Sequence, residues 1–325
     1  MKKKIALALS LVMIMSLALT SCGSKDGGGK DGDGKGGNLT FTTGGESGTY
    51  YSFGTVLAGK ISDKTKTTVT AVVGAGSKGN IEKMEVKDAQ LGLVQSDVMA
   101  YAYNGTSLFD EKVESFSTVA ALYMEQVQIV TLDPNIKTVA DLKGKNVSVG
   151  ENGSGVYFNA LDVLAAYDMT LDDIKPTYES FGNSTDSLQD GKIDAAFIVA
   201  GAPTTAVTGL SATKPVCLVS LDDAHIEKLI AASPYYSRNV IAKDVYNTTE
   251  DVTTVAVGAV IIARDDCSEE DIYNVCAGIF DNIQDLGHDK KDELSLEFAA
   301  SVTAVPYHPG AAKYFSEKNL TVPTK

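Results

Sequence analysis

Chemistry in this chain has to be sought at five short stretches of glycine and small polar residues, each following an apolar run: Gly44–Tyr50, Gly74–Asn80, Gln95–Asp97, Gly150–Gly155 and Ala200–Thr204. Four of them run directly into a helical pattern with Ser, Thr, Gly or Pro at its start. The first N–H groups of a helix have no intrahelical acceptor and carry partial positive charge, so such a turn favours an anion. The stretch Thr42–Gly59 shows the arrangement most fully. Leu39 and Phe41 edge a strand that enters Gly44-Gly45, a helix begins near Gly48 or Thr49, and Tyr50, Phe53, Val56, Leu57 and Ile61 recur at helical spacing. Ser47 and Thr49 can cap that helix or donate to a ligand, and Tyr50 would supply an aromatic wall. The chain has only two arginines, Arg238 and Arg264, and neither lies in a turn. A bound carboxylate would then rest on backbone N–H groups, hydroxyls and Lys78 instead of a bidentate guanidinium.

The other turns offer Ser77 and Asn80 as hydrogen-bonding groups for a carboxylate, Gln95 at the end of an apolar strand, Ser154 and Gly155 as a second anion site, and Gly201 and Pro203 as an opposite wall. A Pro also suits the first turn of a helix, which alone would explain Pro203. Glu46, beside the first turn, would suit an ammonium group if it points inward. Glu125, Gln126 and Gln128 fall in a long apolar run and read as hinge instead of site. Gly74–Gly79 spells G-x-G-x-x-G before a helix, with Asp97 further on, but it sits on the second strand–helix unit of an exported chain. No nucleophile elbow surrounds Ser47 or Ser154, and His225, His288 and His308 are far apart without metal-ligand spacing. The chain therefore reads as a binding protein, not an enzyme, with no cofactor and no metal.

The elements that would position these turns alternate. Strands are expected at Thr68–Val73, Gln90–Val94, Asn146–Val149, Thr177–Phe181, Ala195–Val199, Val216–Val219 and Tyr235–Val240. Helices are expected at Asn80–Lys87, Asp97–Tyr103, Tyr157–Tyr167, Ser184–Asp190, Pro203–Ser211 and Asp223–Ala232, with three more beginning near Ser268, Glu293 and Pro309. This alternation indicates parallel α/β sheets. Two long β runs, Thr118–Leu132 and Thr253–Arg264, would be crossovers between two lobes.

Residues 1–21 read as a secretory signal: Lys2–Lys4, then an apolar run too short to span a membrane. Leu19-Thr20-Ser21-Cys22 looks like a bacterial lipobox. Gly23–Asn38 is Gly, Lys, Asp, Ser and Asn without an apolar core residue, a flexible tether. Three of the 28 basic residues lie in the signal, so without it 25 basic side chains stand against 42 acidic ones. So acidic a surface argues against nucleic acid and against anionic lipid. Cys217 reads as a buried thiol. Export permits a Cys267–Cys276 disulfide, but Cys276 lies on the apolar face of a helix.

Five motifs, in order and covering nearly everything after the tether, resemble the substrate-binding subunits of TAXI-type TRAP transporters. They are T-G-G-E-S-G-T-Y-Y (Thr43–Tyr51), L-G-L-V-Q-S-D (Leu91–Asp97), L-K-G-K-N-V-S-V-G-E-N-G-S-G (Leu142–Gly155), D-A-A-F-I-V-A-G-A-P (Asp194–Pro203) and H-P-G-A-A-K-Y-F (His308–Phe315). The resemblance implies a type II periplasmic-binding-protein fold, two parallel-sheet lobes around a hinged cleft, with lobe I at 39–122 and 253–325 and lobe II at 123–252. The lipobox resemblance implies cleavage before Cys22, its lipidation and anchoring to the outer face of the bacterial cell membrane. A monomer would capture a small organic anion or amino acid, such as glutamate or 2-oxoglutarate, and deliver it to a TRAP permease driven by an ion gradient. The alternatives are a receptor of the same fold feeding a signalling partner, and a secreted hydrolase. The sequence departs from the family at Ser52, Val156 and the Gly74–Asn80 turn, where Pro, Thr and a G-G-S-x-x-N pattern are usual.

Overall fold

The computed structural model describes residues 36–325. The expected signal, Cys22 and most of the tether lie outside the described residues. The last tether residues belong to the domain: Gly36 N donates to Lys66 O and Gly37 N to Asp271 Oδ1.

The strands are β1 (Asn38–Thr42), β2 (Thr68–Val72), β3 (Leu91–Gln95), β4 (Phe116–Thr131), β5 (Asn146–Ser148), β6 (Lys175–Thr177), β7 (Ala195–Ala200), β8 (Cys217–Leu218), β9 (Ser237–Ile241) and β10 (Val252–Arg264). The helices are α1 (Thr49–Lys64), α2 (Ser77–Glu85), α3 (Ser96–Asn104), α4 (Gly155–Ala166), α5 (Phe181–Gln189), α6 (Thr205–Ser211), α7 (Asp223–Ala232), α8 (Glu269–Phe280), α9 (Leu296–Ala299) and α10 (Pro309–Glu317). Strand order is β2-β1-β3-β10-β4-β7-β5-β6, with β8 on β4 and β9 on β10.

The sheet is mixed where alternation alone indicates parallel pairing. β1, β2 and β3 are parallel, as are β5, β6 and β7. The two long strands run against them: β10 is antiparallel to β3, β9 and β4, and β4 to β7. Successive β10 residues point to opposite faces: Val260 and Ile262 pack with Ile81, Met84 and Val98, while Ile261 and Ala263 pack with Phe53, Leu57 and Phe315. Before Gly258 the same strand gives Val255 and Val257 to a different core, with Val147, Val163 and Phe197. β4 changes core likewise, from Tyr123 to Val127. Glu125 lies at that change.

Three local expectations need correction. The strand expected over Thr177–Phe181 ends at Thr177, because Ser180 caps α5 through Asn183 N and Phe181 is already helical. The helix expected from Glu293 is a 3-10 segment, Asp289–Glu293, followed by the four-residue α9, capped by Ser295. Helix α6 starts at Thr205 after the N-cap Thr204, so Pro203 precedes the cap and is not in the first turn. Cys217, Cys267 and Cys276 are free thiols, Cys276 fully buried. Among the described residues no helix is long and apolar enough to cross a membrane.

Helix α1 shows how packing positions a turn. Phe53, Leu57 and Ile61 are fully buried, each contributing about 1.5–3 kcal/mol through removal from water. Gly54 is required on the same face, since a Cβ there would lie 2.7 Å from Thr43 Cγ2. The helix is thus pressed onto β1 and its N-terminus is fixed over the strand end.

Candidate functional site

Four helix N-termini open into one cavity. Its wall is built from the starts of α1 (Gly48, Thr49, Tyr50), α2 (Gly76, Ser77), α4 (Ser154, Gly155) and α5 (Ser180, Phe181), together with Gln95 and Glu125. The space open to the centre of a water-sized sphere is about 60 Å³, enough for roughly four waters or a small solute. α1 and α2 belong to the β1–β3 end of the sheet, α4 and α5 to the β5–β7 end. Between these ends run Gly79 N to Gly153 O (3.0 Å), Ala206 N to Ser47 O (3.2 Å) and Thr49 Oγ1 to Gly201 O (3.1 Å).

The cavity is unusual in its charge. Its lining carries three glutamates, Glu125, Glu151 and Glu179, and no Lys, Arg or His. Lys78 is not part of it; its ammonium pairs with Glu82. Glu125 is 2% exposed and accepts from Tyr50 OH at 2.9 Å. Burial pushes its carboxyl up to about 8, and the Asp97 charge adds to this against the Tyr50 and Gln95 hydrogen bonds and the Lys290 charge. Gln95 is also 2% exposed, and its Oε1 has no hydrogen-bond partner. Its backbone N–H is held by Ser77 Oγ at 3.0 Å. An ideal Cβ on Gly155 would fall 1.9 Å from that Oε1, so only glycine lets α4 approach so closely. Glu179 Oε2 is likewise buried and unpartnered.

The segment 41–318 matches the NMT1-like family. This chain belongs to the NMT1-like family. Its fold is similar to that of the alkanesulfonate-binding protein SsuA from Xanthomonas axonopodis pv. citri bound to MOPS, with TM-score 0.53 and 16% identity over 87% of this chain and 85% of that one. It is also similar to MatC from Rhodopseudomonas palustris with bound malate, with TM-score 0.54 and 13% identity over 78% and 86%. The NMT1-like chain thus has the two-lobed α/β architecture of periplasmic binding proteins.

Of the residues singled out in the sequence of this NMT1-like protein, Ser47, Gly48, Thr49, Tyr50, Ser77, Gln95, Ser154 and Gly155 come together in the cavity wall. Glu46, Asn80, Gly201 and Pro203 do not. Glu46 is exposed on the turn, away from the cavity. Asn80 is fully buried and ties its helix to the sheet through Thr43 O (2.6 Å) and Leu93 O (2.7 Å). Gly201 acts through its carbonyl, accepting from Thr49 and Thr204, and Pro203 is exposed. Sequence reasoning missed Glu125, which it read as hinge, and Glu179–Phe181, which it read as strand. Glu125 had a signal: it is the only charged residue in the sixteen of β4. A second acid, Asp97, lies below the wall, fully buried and accepting from Asn159 Nδ2 at 2.8 Å. Burial, then the Asp162 charge, push it up to about 7.

Proposed function

We propose that this chain is an extracytoplasmic solute-binding protein that closes around a small carboxylate-bearing solute and hands it to a membrane permease. The observation that carries the reading is the enclosure of one small cavity by four helix N-termini from both ends of the sheet. Helix N-termini hold an anion without any basic side chain. The lobes are 39–122 with 253–325, and 123–252, and β4 and β10 are the hinge. The residue motifs favour a TRAP permease of the TAXI type and an anchor on Cys22. The solved structures of similar fold contain MOPS and malate, both small organic acids.

The test is thermal unfolding of the purified protein, stripped of bound ligand by unfolding and refolding, against amino acids, keto acids and dicarboxylates. A true solute at a hundred times its Kd stabilises the folded state by about 2.7 kcal/mol. No stabilisation by any of these classes overturns the reading.

A further inference from the structure

We infer that the solute is a small zwitterion, an α-amino acid with an uncharged side chain, whose ammonium group sits between Gln95 Oε1 and Glu125 while its carboxylate rests on the N-termini of α1 and α2. This builds on the solute-binding reading and narrows it. Gln95 Oε1 is buried without a hydrogen-bond partner. A buried carbonyl oxygen without a donor costs about 1–3 kcal/mol, and a ligand N–H would remove that cost. A keto acid brings no donor there, and a hydroxy acid such as lactate or malate brings one O–H but no positive charge to meet Glu125. Glu125 stands beside Gln95, and its second oxygen is not used by Tyr50. Glu179, whose Oε2 is buried and unpartnered, adds a second carboxylate to the lining besides Glu125, while Glu151 is exposed at the rim. Placing like charges in one desolvated site is repulsive, so these residues select against a second acid group. The small cavity, about 60 Å³, favours the smallest amino acids.

The groups facing Glu125 fix the sign of a proton linkage. They are Tyr50 on α1, Tyr123 on its own strand, Gln95 and Asp97 at the β3–α3 junction, and Lys290 from the 289–293 segment. Lys290 is engaged elsewhere, with Ala202 O and Glu293, so it does not neutralise Glu125 directly. Around pH 7 the buried carboxyl is largely protonated. An arriving ammonium favours its ionised form, and the proton leaves to solvent. Amino-acid binding therefore releases a proton and tightens as pH rises from 6 to 8. A keto or dicarboxylic acid would bind the protonated form and show the opposite slope.

The experiment is calorimetric titration of the ligand-stripped protein with alanine and serine, with pyruvate and lactate as matched acids lacking the ammonium, and with malate and 2-oxoglutarate. Each is run at pH 6 and 8 and in two buffers of different ionisation enthalpy. The expected result is binding of alanine or serine with proton release, at least a hundredfold weaker binding of the matched acids, and a Glu125→Gln variant that loses the pH dependence. Gln keeps the shape and the acceptor for Tyr50, and its folding is checked by its melting temperature without ligand. Equal or tighter binding of pyruvate, lactate or a dicarboxylate, or proton uptake on amino-acid binding, overturns the zwitterion while leaving the solute-binding reading intact. Absence of binding by every probe overturns both.

Discussion

The helices that meet at the cavity start in two different ways. At the β1–β3 end, α1 follows Gly48 and α2 follows Gly76, and neither has a side-chain cap. At the β5–β7 end, α4 follows Ser154 and α5 follows Ser180, and each serine accepts from a backbone N–H of its own helix, Tyr157 N and Asn183 N. A capping serine satisfies one of the free N-terminal donors; a glycine leaves it open. Two lobes of similar plan thus differ in what they hold out to a solute. Of the glycine-started helices, α1 has no capped donor while α2 gives Gly79 N to Gly153 O; the serine-started helices close the opposite wall with theirs partly spent. Stability and ligand affinity compete for the same few N–H groups, and the choice of residue at the cap decides between them.

The comparison breaks most severely at Gly155. Gly155→Ala would set its Cβ 1.9 Å from Gln95 Oε1 and 2.7 Å from Ser77 Oγ, both on the facing lobe. Ligand affinity should fall by more than about a hundredfold, roughly 2.7 kcal/mol. The proposed closure predicts that the melting temperature without ligand hardly moves, although Gly155 and Gln95 already touch in this structure. An equal loss of intrinsic stability would mean that the contact belongs to folding and not to closure.

Giving the first lobe the second lobe's cap is the next test. Gly48 has φ −106° and ψ 163°, a backbone that serine adopts, although its Cβ would press on Phe181 Cε2 at 3.3 Å. Gly48→Ser should add a cap, raise the melting temperature slightly and weaken solute binding about tenfold, near 1.4 kcal/mol. Calorimetry alongside thermal unfolding separates the two effects; a gain in both would refute the competition. Gly76 does not admit the same exchange, since its φ is +90°.

Asp97 gives an effect of intermediate size. Its folded-state pKa lies above the unfolded one, so its contribution is fully present below about pH 4 and is lost as pH rises through about 7. Glu125 acts in the same direction up to about pH 8. Asp97→Asn should flatten the fall in melting temperature between pH 4 and 7 and leave the variant a few degrees more stable than the wild type at pH 8. A variant less stable at pH 8 would show that the ionised carboxylate is needed in the Asn159 and Tyr236 network.

The smallest expected change is at Ser154→Gly, the reverse exchange. Replacing a capping Ser by Gly costs only a few tenths of a kcal/mol. Ligand affinity should change less than threefold, because the solute's acid group lies on α1 and α2. A larger loss would move the anion site to α4.

Much of the frame was legible from residue types. Helix starts at Thr49 and Asp223 and the long runs of β4 and β10 follow from apolar spacing and caps, and both core faces of β10 follow from its continuous Val, Ile and Ala. The β6–α5 turn was hidden because Tyr178 and Phe181 flank it and read as strand, while only Ser180's bond to Asn183 N marks the helix. Glu46 and Glu125 exchange roles for a related reason. A carboxylate beside a glycine turn is locally as plausible a ligand group as one inside a strand, and the direction each side chain takes is not a local property.

From residue types alone it follows that strand ends rich in Gly and Ser feed helices, and that an acid bound at those ends would rest on backbone donors, because neither of the two arginines lies in one of the five turns. Those features depend on residues adjacent in the chain. That Gln95, Glu125, Gly155 and Glu179 share one cavity follows from the packing of distant segments. They come from four different elements, and their charges acquire meaning only through burial: removing water is what raises the Glu125 carboxyl and what leaves Gln95 Oε1 in need of a donor.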